Sequence, residues 1–184
     1  MKSNKRLRSG EFRQRLASAR PRLFRTAYAW THDRDVAEDL VQEALAKALR
    51  NATQLRDPDA LEAWLFRIMT NCWHDHLRRN PVTDSLDRVD LASETTPETT
   101  HSRLQIINRV RNAVAELPQG FRETVTLVDI EGFSYADTAN ILDVPVGTVM
   151  SRLSRGRNRL LALLKTDLET PATGPSVARV RRIK

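Results

Sequence analysis

Residues 134–164 read SYADTANILDVPVGTVMSRLSRGRNRLLALL, and this stretch decides the fold class. A short amphipathic helix is expected from Ser134 to Ile141, with Ser134 as N-cap and Asp137 three residues later, close to a capping box. The pattern breaks at Leu142-Asp143-Val144-Pro145. Pro145 suits the first turn of a second helix, where a missing N–H costs nothing. At about 100° per residue, Val149, Leu153, Gly156, Leu160, Leu163 and Leu164 share one side of that helix. Thr148, Ser151, Arg152, Arg155 and Arg159 share the other. An apolar back and a hydroxyl-plus-arginine front, behind a short turn, make a helix-turn-helix able to enter a DNA major groove. The plainer alternative is a surface helix with a solvated basic face.

Composition narrows the class. The chain has 184 residues and a formal charge of +7, so a polyanion partner is favoured, nucleic acid before membrane. Hydrophobic residues make up 40% and aromatics only 5%, enough for small cores rather than one large one. No segment approaches the roughly 20 apolar residues of a membrane span. The N-terminus MKSNKRLRSGEFRQRL is basic with no apolar run behind it, unlike a secretory signal. A single cysteine, Cys72, excludes an internal disulfide framework, and a cytoplasmic protein is expected.

Ahead of the helix-turn-helix, helical patterning begins near Glu11, and Pro21 is expected to interrupt it and open a new helix carrying Leu23, Phe24, Ala27 and Trp30. Residues 35–51, DVAEDLVQEALAKALRN, read as a helix capped by Asp35 with Glu38 at N3. Its exposed side carries Asp35, Glu38, Asp39, Gln42 and Glu43. Acids near a helix N-terminus complement the dipole. In a basic protein the same patch equally suits docking on a basic protein surface, and the local sequence does not separate the two readings. Asp57-Pro58 marks the next helix, with a core stripe of Leu61, Leu65, Ile68, Met69 and Cys72. Its other face lines up Trp64, Arg67, Asn71, Asp75 and Arg78. That combination suits opened single-stranded bases, with an aromatic to stack, an amide to read an edge and arginines on phosphate; the alternative is Trp64 tucked against a neighbouring helix. Cys72, His74 and His76 form C-x-H-x-H, but only Cys72 and His76 share a helix face, and a closed zinc site wants four ligands. No metal or other cofactor is expected.

Residues 81–102 are polar, proline-containing and acidic, and read as a flexible linker. Beyond it, Ile107, Val110, Val114 and Leu117 line one helix face, and Phe121, Val125 and Val128 lie on the next, which Gly132 stops. Phe133 is expected to plug the core. The chain thus divides into a basic tail (1–10), a front helical domain (11–80), the acidic linker (81–102), a rear helix-turn-helix domain (103–166) and a basic tail (167–184). The fold class is all-α, two small helical domains joined by a flexible linker. There is no Gly-rich phosphate loop, nucleophile elbow or paired catalytic carboxylate, so the chain reads as a binding protein rather than an enzyme.

RDVAEDLVQEALAKAL, LEAWLFRIMTNCWHDHLRR and ELPQGFRETVTLVDIEGFSYADTANILDVPVGTVMSRLSRGRNRL, in this order and spacing, resemble bacterial sigma factors of the sigma-70 family, in the compact extracytoplasmic-function (ECF) group. The resemblance covers residues 11–166, region 2 in front and region 4 behind. It implies that the patch at Asp35, Glu38, Asp39, Gln42 and Glu43 docks on the clamp coiled coil of the large subunit of core RNA polymerase. Trp64, Arg67, Asn71, Asp75 and Arg78 would read and open the −10 promoter element, with loop 53–59 near a pocket for a flipped base. Thr148, Ser151, Arg152, Arg155 and Arg159 would read the −35 element as duplex. An anti-sigma factor is an implied partner; membrane insertion is not. Two positions depart from the family pattern. Asp143 stands in the turn where glycine is frequent, and Asp tolerates a left-handed backbone. Met150 stands where a basic residue is common, which removes one phosphate contact. The rival readings are a stand-alone helix-turn-helix regulator, which would bind duplex tightly by itself, and a sigma-like decoy for an anti-sigma factor, which would not need Trp64, Asn71 or the rear arginines.

Overall fold

A computed structural model describes residues 9–80 and 98–169, with side chains left out at 98–105 and 166–169. The expectations for both basic tails and for the acidic linker fall wholly or largely outside these residues. Among the described residues the chain is all-helical: α1 (Ser9–Thr31), α2 (Arg34–Arg50), α3 (Leu61–Arg79), α4 (Glu98–Ala115), α5 (Gln119–Val125), α6 (Tyr135–Leu142) and α7 (Val146–Glu169). The first three form a front unit in which α2 packs on both α1 and α3, and the last four form a rear unit in which α7 packs on α4, α5 and α6.

Three local expectations are corrected. Pro21 does not split α1, which runs unbroken through it. Phe12, Leu16, Leu23, Ala27 and Trp30 are all buried on one continuous stripe, so packing on both sides of the proline holds the helix together despite its missing N–H. The chain turns instead at His32, whose φ of 54° is left-handed. Helix α2 is capped by Asp33 rather than Asp35: the Asp33 carboxylate accepts from the backbone N–H of Asp35 (2.8 Å) and Val36 (3.0 Å). Along α4, among the side chains described from residue 106 on, burial begins at Ala113; Val114 and, just past the helix, Leu117 are buried, whereas Ile107 and Val110 are exposed.

The helix-turn-helix forms as its residues dictate. The Ser134 hydroxyl accepts from the Asp137 N–H at 3.0 Å and caps α6. Asp143 takes the left-handed conformation (φ 55°, ψ 48°) that ends α6, and the carbonyl of Pro145, just ahead of α7, accepts from the N–H groups of Thr148 and Val149. Helix α7 continues past Leu164 to Glu169. Its back packs closely because Gly156 lies against α5: a Cβ there would meet Val125 Cγ2 at 2.8 Å and Phe121 Cβ at 3.3 Å. Gly156→Val is therefore expected to lower stability by about 1–3 kcal/mol, the usual range for overpacking, as measured by urea unfolding.

The two units meet along a well-built seam. Leu127, Ile141 and Leu142 of the rear half belong to the same buried cluster as Leu65, Phe66 and Met69 of α3. Phe133 does plug a core, but the core it plugs is that of the front unit: its ring sits edge-on to Phe66, with centroids 4.8 Å apart. Gly132, at φ 76°, turns the chain so that Phe133 reaches there. The Arg22 guanidinium lies over both rings, 5.4 Å from Phe66 and 5.2 Å from Phe133.

Candidate nucleic-acid and protein interfaces

On α2, Asp35, Asp39 and Gln42 are exposed, and Glu38 and Glu43 half-exposed. Glu38 pairs with Arg20 of α1 at 2.5 Å, and Glu43 with Lys47 at 2.8 Å. The remaining acids have no cationic partner among the described residues, so the face keeps its negative field outward. The helix packs chiefly on α1 and α3 with its opposite, alanine-rich stripe: Ala37, Val41, Ala44 and Ala48 are fully buried.

Helix α3 begins after a 3₁₀ turn, Pro58–Ala60, capped by the Asp57 carboxylate. Spacings of 3, 4, 4 and 3 residues put Trp64, Arg67, Asn71, Asp75 and Arg78 along one line. Asn71 and Arg78 are exposed. Trp64 is half-buried and tilts against Phe12 of α1, centroids 6.4 Å apart, so it is a seated ring rather than a free one. Asp75 is engaged by Arg78 and lies 3.7 Å from Lys47. Beside Trp64, loop 53–59 borders a cavity of about 510 Å³ lined by Phe12, Arg13, Leu49, Thr53, Leu55 and Pro58. Phe12 and Arg13 come from α1, a contribution the loop's own sequence does not reveal.

On α7, Ser151, Arg155 and Arg159 are exposed and Thr148 is half-exposed. The Ser151 hydroxyl donates back to the Thr148 carbonyl at 3.0 Å. Arg152 is set apart: it is half-buried, with its guanidinium close over Gly120 of α5. Arg157 is bound at both guanidinium ends to Asp129. Arg155 and Arg159 are exposed and show neither the Asp129 pairing of Arg157 nor the Gly120 contact of Arg152.

Cys72, His74 and His76 diverge. Cys72 is buried, which pushes its thiol above the ordinary range, with Lys47 pulling partly the other way. His76 stacks on Trp73 (5.8 Å). His74 reaches Glu123 of α5 at 3.1 Å and so joins the two units.

The seam is the feature the sequence did not announce. Arg22 Nε donates to Glu131 Oε2, its Nη2 donates to the Glu131 carbonyl, and Nη1 reaches Glu62. Thr26 donates to the other Glu131 oxygen at 2.6 Å. Burial pulls the Arg22 guanidinium down, but bonding to Glu131 and Glu62 outweighs it and its pKa rises. Arg122 donates across the seam to the Trp30 carbonyl at 2.6 Å; burial lowers its pKa, with Glu123 acting the other way. Next to it, burial and the Arg122 charge lower the pKa of His32. Arg67 reaches Asp143, in the helix-turn-helix turn, at 3.4 Å.

A helical unit with an exposed acidic face, joined to a helix-turn-helix unit with a polar front, has the architecture of a helix-turn-helix DNA-binding protein. Family comparison places it. Sigma-70 region 2 matches residues 16–81, and Sigma-70, region 4 matches residues 107–160. The ECF RNA polymerase sigma factor EcfG of Rhodopseudomonas palustris is 37% identical over 158 residues, covering 84% of this chain and 86% of the relative. The ECF RNA polymerase sigma factor SigM of Mycobacterium tuberculosis is 36% identical over 145 residues, covering 77% and 71%. The sigma factor RpoE from Bartonella quintana, solved in complex with the anti-sigma factor NepR, matches with a TM-score of 0.69 at 36% identity, over 85% of this chain and 98% of that one. The chain belongs to the ECF RNA polymerase sigma factors of the sigma-70 family.

Proposed function

We propose that this ECF sigma factor acts in the cytoplasm, docks on the clamp coiled coil of core RNA polymerase through Asp35, Asp39, Gln42 and the flanking Glu38 and Glu43, and directs initiation at promoters with −10 and −35 elements. Supporting this is the separation of surfaces within one family member: an outward acidic face on α2 and polar faces on α3 and α7. Asn71, Arg67 and Arg78 meet the opened −10 strand, and Trp64 backs Phe12, which lines the neighbouring cavity of about 510 Å³, with room for a flipped base. Base stacking on an aromatic contributes roughly 1–3 kcal/mol, against an unstacking cost of a few kcal/mol per step. The protein therefore opens DNA only when polymerase binding adds to these contacts. Polymerase does the chemistry. An anti-sigma factor is the natural antagonist, since the similar RpoE was solved with one.

Arg155 and Arg159, both exposed, are the main −35 readers in this proposal, with Thr148 and Ser151 supplying shorter contacts. Arg155→Ala is expected to weaken −35 duplex binding by holoenzyme by about 1–3 kcal/mol if its contact is bidentate to guanine. Arg152→Ala should cost less, because that side chain is held against Gly120. Equal losses at both positions would move Arg152 back among the base readers.

Run-off transcription with purified core polymerase and a promoter library tests the whole reading. Core-dependent initiation at a shared two-element motif is the expected result. Tight sequence-specific duplex binding without polymerase and no initiation with it would instead make the chain a stand-alone regulator. Binding of an anti-sigma factor without initiation would make it a decoy.

A further inference from the structure

The first two turns of α7 carry side chains that the hydroxyl-and-arginine front does not account for. Val146 and Met150 are apolar, yet they are 43% and 54% exposed. Four residues apart, they stand one above the other on the same side of the helix. Gly147 lies between them in sequence and is also exposed, and a Cβ added there would meet nothing within 4 Å. Among the described glycines only Gly132 has a left-handed backbone. Neither packing nor backbone angle therefore requires glycine at position 147, and alanine would favour the helix. The missing side chain makes room for something outside the chain. Met150 is followed directly by Ser151, so the apolar strip is continuous with the polar front. In a helix-turn-helix it is the N-terminal residues of the second helix that reach base edges. Val146 and Met150 offer no hydrogen-bond donor to a phosphate or a base. The one apolar group that a base pair shows in the major groove is the 5-methyl of thymine.

We propose that Val146, Gly147 and Met150 form an apolar reading strip that takes thymine methyl groups of the −35 duplex and so selects A·T pairs beside those met by the arginines. This rests on the assignment of α7 as the −35 reader. Met150 is unbranched and polarizable, and adjusts its reach to the methyl it covers. Val146 is stiff at χ1 and gives a fixed contact one turn earlier. Gly147 lets the edge of the groove seat against the helix backbone between them. Arg155 and Arg159 lie further along the same helix and are exposed. Contacts of arginine to phosphate hold the helix on DNA whatever the sequence, and base-edge contacts supply the choice. The strip adds to that choice without adding charge. Its contribution comes from removing the Met150 side chain and the thymine methyl from water together.

The test uses holoenzyme and a −35 duplex drawn from the promoter library, with each thymine in turn replaced by deoxyuridine, which removes the methyl and keeps the hydrogen-bonding edge. Wild-type holoenzyme should bind at least one uracil-substituted duplex about fourfold more weakly, the change expected for one buried methyl group. Met150→Ala should bind the thymine duplex more weakly and no longer distinguish thymine from uracil at that position. Gly147→Leu should weaken −35 binding about tenfold, as a side chain forced into a close contact does, while the free protein melts no lower than wild type. Uracil bound as well as thymine at every position, or a selected −35 element without thymine, would overturn the strip. Discrimination that survives unchanged in Met150→Ala would also overturn it. Reduced core polymerase affinity in Met150→Ala would assign the strip to a protein contact and reject the reading of DNA. Arg155→Ala separates the two levels of failure: a loss of −35 binding there with uracil tolerated rejects the strip alone, whereas no loss there and no selected −35 element reject α7 as the reader.

Discussion

Asp39→Arg is expected to cut affinity for core RNA polymerase on the order of a hundredfold, because a like-charge contact in a complementary interface costs several kcal/mol. Asp39 is exposed, has no ion-pair partner among the described residues and sits on the side of α2 opposite its buried alanines. Reversal therefore leaves the packing untouched. Its fold cost is the few tenths of a kcal/mol of a cation near a helix N-terminus. Association with core measured by fluorescence anisotropy, alongside thermal melting, separates the two effects. Unchanged core affinity would refute the docking face. Glu38→Arg is the weaker choice, since Glu38 already neutralises Arg20 and its loss frees a cation beside the patch.

The second large effect is on stability. Phe66→Ala is expected to destabilise the protein by about 3–5 kcal/mol, the range for truncating a buried aromatic. Phe66 is 1% exposed, lies in the front core, meets Phe133 at 4.8 Å and carries part of the Arg22 charge on its face. Phe133→Ala, at a half-exposed ring, should cost clearly less in urea unfolding, while opening the seam more selectively. Equal losses would mean that Phe133 belongs to the structural core and not to a separable contact.

Most of the helices were legible because their signals are local. Ser134, Asp57 and Gly132 end or begin elements through hydrogen bonds or a backbone angle that involve only near neighbours. The apolar line Val149, Leu153 and Gly156 repeats at helical spacing and is buried as that spacing requires. Pro21 was misread for the complementary reason. Its local preference is to break a helix, and packing far along the chain overrides it. Asp35 lost the cap to Asp33 because His32 turns the chain left-handed just ahead of the helix, which places the Asp33 carboxylate over the first N–H groups.

The candidate surfaces divide in the same way. Faces along α2, α3 and α7 follow from periodicity, and periodicity was enough to group their residues. It was not enough to rank them. Arg152 and Arg155 look equivalent on a helical wheel, yet Arg152 lies over Gly120 while Arg155 is free. Trp64 reads as a stacking platform, yet it is half-seated on Phe12, and the cavity beside it is completed by α1.

The sequence by itself determined an all-helical chain, a helix-turn-helix with a polar front, an exposed acidic face on α2 and the motifs that carry the likeness to the ECF sigma factors, because each depends on residue types at short, regular spacings. Tertiary structure alone decided that the two units close on each other. Arg22 and Glu131 are 109 residues apart, and nothing in the periodicity of α1 or in the bend that carries Glu131 predicts that one will bury the other's charge. Such a contact is a property of how two apolar faces and a few charges find one another in space. That closure decides which reading surfaces are free and which are held together.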